Sequence, residues 1–281
     1  AFIPLTLTAE TTTALNRMKE AVGDIDAYVV KKLGYVTKTD VWRVFASEQI
    51  DAIALQIFSF ENDGSAMILG DMAGTGKGRV CAGICRYAFL QGLMPLFVTE
   101  KANLFSDFYR DLNDIGGFPN LTNSVAKHLP IPLILNAGTK ENIVNKENQR
   151  IKPSLKASSN DIYEPREEIA SASNEVPILF SAQKAQILSR IYAKPNLPKN
   201  YQIIVSTYSQ FQGKGSDSRA KFITKNAENI FVVLDESHNA SGESAVGKFF
   251  QDILPSVKGA MFSSATYSKR VSNLKIYALR N

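Results

Sequence analysis

Six short apolar runs constrain this chain more than any other feature. They are Ala66-Met-Ile-Leu69, Pro95-Leu-Phe-Val-Thr99, Pro132-Leu-Ile-Leu135, Gln202-Ile-Ile-Val-Ser206, Ile230-Phe-Val-Val-Leu234 and Gly259-Ala-Met-Phe-Ser263. Each is too short for an independent helix, and none alternates apolar with polar residues, so both faces of each strand call for burial. Between them lie stretches with helical spacing: 47–58, where Ile50, Ile53, Ala54 and Ile57 make one stripe, then 80–90, 101–113 (closed by Gly116 and Gly117) and 246–254. Doubly apolar strands separated by helices specify an α/β fold, a mostly parallel central sheet flanked by helices.

Residues 1–45 read as a mostly helical N-terminal extension. Thr8 or Thr11 caps a first helix running to 18–22, a second spans 24–33 and ends at Gly34, and Ser47 suits the N-cap of the helix that follows. Residues 46–281 read as one domain, interrupted at about 137–197 by a stretch whose first half is rich in Asn, Lys, Glu and Ser. That stretch is expected to be a partly exposed insertion, with a helix near 182–192. The chain has 281 residues with 44% hydrophobic content, enough for a large core. A net charge of +5 is compatible with a polyanionic partner without selecting one. No apolar run is long enough to span a bilayer, so no membrane partner is expected. Cys81 and Cys85, the only cysteines, have no third thiol and no histidine nearby in sequence; they read as small buried hydrophobes in a reducing compartment.

The run Gly70-Asp-Met-Ala-Gly-Thr-Gly-Lys-Gly-Arg79 lies between the first strand and an amphipathic helix. Strand, glycine turn, lysine and helix is a construction that holds nucleotide phosphates: Gly74, Thr75 and Gly76 let backbone N–H groups converge, the helix start adds partial positive charge, and Lys77 adds a full one. The full pattern has Gly where Asp71 stands and Ser or Thr where Gly78 stands. The missing hydroxyl removes one Mg²⁺ ligand. Arg79, at the helix start, either meets phosphate or pairs with an acid. A second landmark, Val233-Leu-Asp-Glu-Ser-His238, ends the most apolar strand in two carboxylates. At the carboxyl end of a parallel sheet, Asp235 would hold Mg²⁺ and Glu236 would orient the water that attacks the γ-phosphate of ATP. A third, Ser263-Ser-Ala-Thr266, follows the last strand.

This ordered set resembles the RecA-like first motor domain of superfamily 2 helicases and translocases. Gly74, Thr75, Gly76 and Lys77 match motif I, Asp235 to His238 match motif II, and Ser264, Ala265 and Thr266 match motif III. The resemblance implies that Gln49 reads the adenine edge and that His238 relays between the ATP site and Ser264 or Thr266. It also implies that Thr99 and Lys101 (motif Ia) with Thr207, Tyr208 and Ser209 (motif Ib) line a nucleic-acid groove. DNA is the implied partner, with RNA also admitted because the grip is on the phosphate backbone. The patterns around 25–35 and 47–52, the Gly-Lys-Gly-Arg ending of the loop, Asp107–Ile115 with its Asp-Leu-x-Asp-Ile core, and Asp235-Glu-x-His-x-Ala240 look like the strawberry notch-type group, which includes phage and plasmid methylase-helicases. There Gly78 marks a branch and not a defect. The group implies a cytoplasmic protein, in the host cytoplasm or carried in the virion if phage-encoded. A superfamily 2 motor also needs a second RecA-like domain for its arginine fingers. The expectation is therefore a piece of a longer protein that turns ATP over poorly by itself. The alternative from another class is a non-catalytic nucleotide-binding or structural module of a large phage protein.

Overall fold

The computed structural model describes residues 8–70, 74–120, 123–136, 185–212, 216–266 and 274–280. Four helices come first: α1 (Thr8–Val22), α2 (Ile25–Leu33), α3 (Lys38–Val44) and α4 (Ser47–Asp63). Then β1 (Ile68–Leu69), α5 (Lys77–Leu90), β2 (Met94–Thr99) and α6 (Leu104–Asp114) begin an alternation. It continues through a two-stranded antiparallel ribbon, β3 (Phe118–Asn120) with β4 (Asn123–His128), and then β5 (Pro132–Ile134), α7 (Ala185–Tyr192), β6 (Ile203–Thr207) and α8 (Ser216–Lys225). Finally come β7 (Ile230–Asp235), α9 (Ala245–Ile253), β8 (Gly259–Ser263) and α10 (Lys275–Ala278).

All six expected strands are present and form one sheet in the order β1-β8-β7-β2-β6-β5, every neighbouring pair parallel. This is the RecA-like arrangement, with β8 inserted between the strand that feeds the glycine loop and the strand that ends in Asp235. Successive side chains of a strand point to opposite faces, and the core divides accordingly. Phe97, Val205, Phe231, Val233 and Met261 join α1–α6 on one face; Leu96, Val98, Ile204, Val232, Leu234 and Phe262 join α7–α10 on the other.

Two expectations need correcting. Ser47 is not the N-cap of α4. Ala46 holds that position, and its N–H donates to Gln49 Oε1 at 3.0 Å, so a side chain inside the helix caps it from the third position. The helix expected over 47–58 is also longer; α4 runs through Asp63 and stops at Gly64, which takes φ 75°. The stretch 137–184 lies outside the described residues. The end of the expected insertion holds α7, within the helix expected near 182–192, with Leu188 and Ile191 buried against the sheet and Gln186, Ser189 and Arg190 exposed.

The N-terminal helices share the core of one face, with Met18, Val29, Leu33 and Val41 fully buried. Arg86 of α5 fastens them. Its Nε donates to Leu33 O at 2.6 Å, taking one of the carbonyls a helix end leaves unpaired, and its Nη1 donates to Gly117 O at 2.5 Å. The guanidinium sits 4.3 Å from the centroid of the Tyr35 ring. Among the described residues no helix is long and apolar enough to cross a membrane. Arg86→Met strands two buried carbonyls and is expected to lower unfolding free energy by about 2–4 kcal/mol in urea titration. An unchanged midpoint would show that α2 does not depend on this tie.

Candidate functional site

A sheet whose strands are all parallel delivers their carboxyl ends to one edge. Here Leu69 is opposite Ser263, Ser263 opposite Asp235, and Thr99 opposite Thr207. Ligand sites of open α/β sheets form at this edge, and the residues singled out in the sequence meet there, except in the ways described below.

The described half of the glycine loop begins at Gly74. Gly74 and Gly76 take φ 87° and 80°, a left-handed conformation that glycine adopts without strain. Gly76 is the N-cap of α5, and Lys77 opens the helix. Gln49 holds this turn: its Nε2 donates to Thr75 O at 3.3 Å and, more weakly, towards Gly76 O at 3.4 Å, while its Oε1 is occupied by Ala46 N–H. A Cβ at position 76 would lie 2.2 Å from Gln49 Nε2. Both ends of the Gln49 amide are thus spent on protein, where the sequence reading had one reaching for adenine. Arg79 pairs with an acid in this structure. Its Nη2 pairs with Asp114 of α6 at 2.8 Å and its Nη1 donates to Val44 O at 3.2 Å.

Gly78 reveals the place of Asp111, which the sequence marked only as part of a family pattern. A Cβ there would lie 2.0 Å from Asp111 Oδ2, so the α6 carboxylate fills the space a Ser or Thr side chain would use. Burial pushes Asp111 up to about 6, and the Arg110 and Arg79 charges offset this only in part. The signal available in the sequence was the acid repeat Asp107, Asp111, Asp114, which lies along one side of α6.

Asp235 ends β7. Burial raises its pKa, and the Glu236 charge adds to this, while a hydrogen bond from Thr99 Oγ1 at 2.9 Å and the Lys77 charge oppose it. Glu236 is, among the described residues, the single non-glycine with positive φ, at φ 49° and ψ 50°. That conformation costs on the order of 1–2 kcal/mol. It is held by Asn239, whose backbone N–H and Nδ2 both donate to Glu236 O, at 2.9 and 3.0 Å. His238 Nδ1 lies 2.9 Å from Ser264 Oγ, 3.3 Å from Glu236 Oε2 and 3.4 Å from Thr266 Oγ1. With a carboxylate among these neighbours, Nδ1 is assigned the proton. Ser264 is buried and its Oγ also accepts from Thr266 N–H at 3.1 Å; Ala265 and Thr266 are exposed.

The five residues expected in a nucleic-acid groove divide. Lys101 and Ser209 are exposed. Thr99, Thr207 and Tyr208 are buried, at 0%, 2% and 5% exposure, which corrects their expected place on a groove surface. Each has an internal partner instead. Thr99 bonds Asp235, Thr207 Oγ1 accepts from Asn136 Nδ2 at 2.8 Å, and Tyr208 OH donates to Asp235 O at 2.7 Å. Asn136 and the Tyr208–Asp235 contact were invisible in the sequence. Both cysteines are buried, with burial raising their thiol pKa values.

Comparison with known proteins gives one family: P-loop containing NTP hydrolase pore-1 matches residues 43–280. Among solved structures, the Sulfolobus solfataricus SWI2/SNF2 ATPase core in complex with dsDNA is similar over 85% of this chain, at 15% identity and a TM-score of 0.48. The chain spans 36% of that chain's length. No curated protein matches.

Because Asp111 binds its proton more tightly in the folded than in the unfolded chain, its contribution is fully present below 3.8 and is lost as pH rises through about 6. Asp111→Asn has no such loss. Urea denaturation should show this variant gaining on the parent between about pH 4 and pH 7.5; a difference independent of pH would contradict the assignment.

Proposed function

The chain belongs to the P-loop containing NTP hydrolase pore-1 family, and on that footing we propose that it is the ATP-binding first motor domain of a superfamily 2 DNA helicase or translocase, of the strawberry notch-type branch. The observation that carries this is the contact of Glu236 and His238 at the end of β7 with Ser264 and Thr266 beyond β8. A site built only to hold a nucleotide has no use for such a link; a motor uses one to tell the rest of the domain which phosphate is present.

In this reading residues 46–281 form the motor domain, while 1–45 and 137–197 are additions to it. The loop backbone at Gly74, Thr75 and Gly76 and the start of α5, at Gly78 and Arg79, surround the phosphates, and Lys77 places its charge on them. Gln49 acts by holding the loop's shape. Among the described residues no group of three or more His, Cys, Asp or Glu side chains could hold a metal alone. That suits Mg²⁺ carried in on ATP and met by one or two carboxylates, Asp235 among them. When bound, the cation neutralises charge on the phosphate oxygens. Glu236, fixed by Asn239, orients the attacking water and accepts its proton. His238, bonded to Ser264, carries the change at Glu236 towards Thr266. Lys101 and Ser209 face the nucleic-acid backbone, and buried Thr99, Thr207 and Tyr208 position the strand ends beneath them. RNA offers the same backbone chemistry. A second RecA-like domain supplies the arginine charges.

The test is Glu236→Gln in a protein joining this chain to its second RecA-like domain. ATP binding should persist while DNA-stimulated hydrolysis falls at least about 100-fold. Equal turnover in the two proteins would sink the motor reading and favour a non-catalytic module.

A further inference from the structure

Gly78 stands where phosphate loops ordinarily carry the hydroxyl that meets Mg²⁺. A Cβ at that position would lie 2.0 Å from Asp111 Oδ2 and 3.1 Å from its Cγ, so a carboxylate from another helix occupies the hydroxyl's place. The placement is firmly supported. Phe105, Phe108, Tyr109 and Leu112 bury α6, and Phe108 stacks on Phe97 of β2 with ring centroids 3.7 Å apart. The Arg79–Asp114 pair ties the end of α6 to the start of α5.

Among the described residues the Asp111 carboxylate has no hydrogen bond or ion pair of its own. The two nearby cations are taken: Arg79 by Asp114 and Arg110 by Asp107. Cys81, one helical turn beyond Gly78, is acted on by the charges of both Asp235 and Asp111. Both carboxylates therefore lie in reach of the first turn of α5. An unpaired carboxylate beside a phosphate loop repels a bare polyphosphate, and a divalent cation between them reverses the sign of that interaction.

We propose that Asp111 replaces the phosphate-loop hydroxyl, presenting a carboxylate oxygen to the hydrated divalent cation that accompanies ATP and that Asp235 also meets. The proposal rests on the reading of this loop as an ATP site. It makes the loop selective for the metal complex of ATP over free ATP, which a neutral hydroxyl does less strongly. The exchange also accounts for Gly78, since any larger residue would displace the carboxylate.

The experiment is equilibrium binding of a fluorescent ATP analogue to this chain, in Mg²⁺ and in EDTA, for wild type, Asp111→Asn, Asp111→Ala and the double variant Asp111→Ala/Gly78→Thr. Electron paramagnetic resonance of Mn²⁺ reports metal binding in the same complexes. Asp111→Asn keeps the shape and removes the charge. It should cut the affinity gained from metal by about tenfold while leaving binding in EDTA unchanged or tighter. The double variant should regain metal dependence over Asp111→Ala, because the threonine hydroxyl now has room. If Asp111→Asn keeps the wild-type ratio between Mg²⁺ and EDTA, Asp111 is only a space-filling neighbour and the proposal falls while the ATP site stands. No regain in the double variant would likewise overturn the replacement. Failure of the wild type to bind the analogue in either condition would overturn the ATP-site reading and this proposal together.

Discussion

A parallel sheet covered on both faces leaves only its ends for chemistry, and everything reactive in this molecule follows from that constraint. The strands are apolar on both faces because helices lie against each, with Phe231 and Val233 packing to one side and Val232 and Leu234 to the other. Side chains that must be polar are therefore pushed to the strand termini. There Thr99, Thr207, Asp235 and Ser264 form a polar rim over an apolar floor. Such a rim tolerates buried polar groups only when they are paired. The pairs found there (Thr99 with Asp235, Tyr208 with the Asp235 carbonyl, Asn136 with Thr207) both satisfy that need and fix the geometry of the acids.

The fold was largely legible because its strands are encoded locally, as apolar runs on both faces. The β3–β4 ribbon was not, since Phe118-Pro-Asn120 and Asn123-Ser-Val-Ala-Lys-His128 show neither a continuous apolar run nor a hairpin turn pair of the usual kind. Helix α4 was read too short because Glu61, Asn62 and Asp63 look like turn residues, although Glu61 is held by Lys32 and Tyr87. In the site, the phosphate loop and the two acids could be recognised from spacing alone. What could not be recognised was which partner each side chain had already found. Arg79 meets Asp114 across 35 positions and Thr99 meets Asp235 across 136. Residues expected to face a ligand on motif grounds proved to face the protein because tertiary contacts decide exposure.

Glu236 shows how the site holds a residue where the backbone resists it. Its left-handed conformation turns the side chain away from the direction β7 would give it and towards His238 and Ser264. Two bonds from Asn239 to its carbonyl offset that strain. Ser237 adds a further anchor, its hydroxyl lying 3.1 Å from Tyr277 OH. The rigidity of this turn thus reaches α10, remote in sequence from the loop.

The fit of Gly78 to Asp111 bears on how such a chain can change over time. A serine at position 78 would set its Cβ against the Asp111 carboxylate, so that side chain would have to swing away or the loop would have to shift. The two positions are therefore coupled, since what one can carry depends on the side chain at the other. The glycine is therefore better understood as one half of a couple than as an independent letter of the motif.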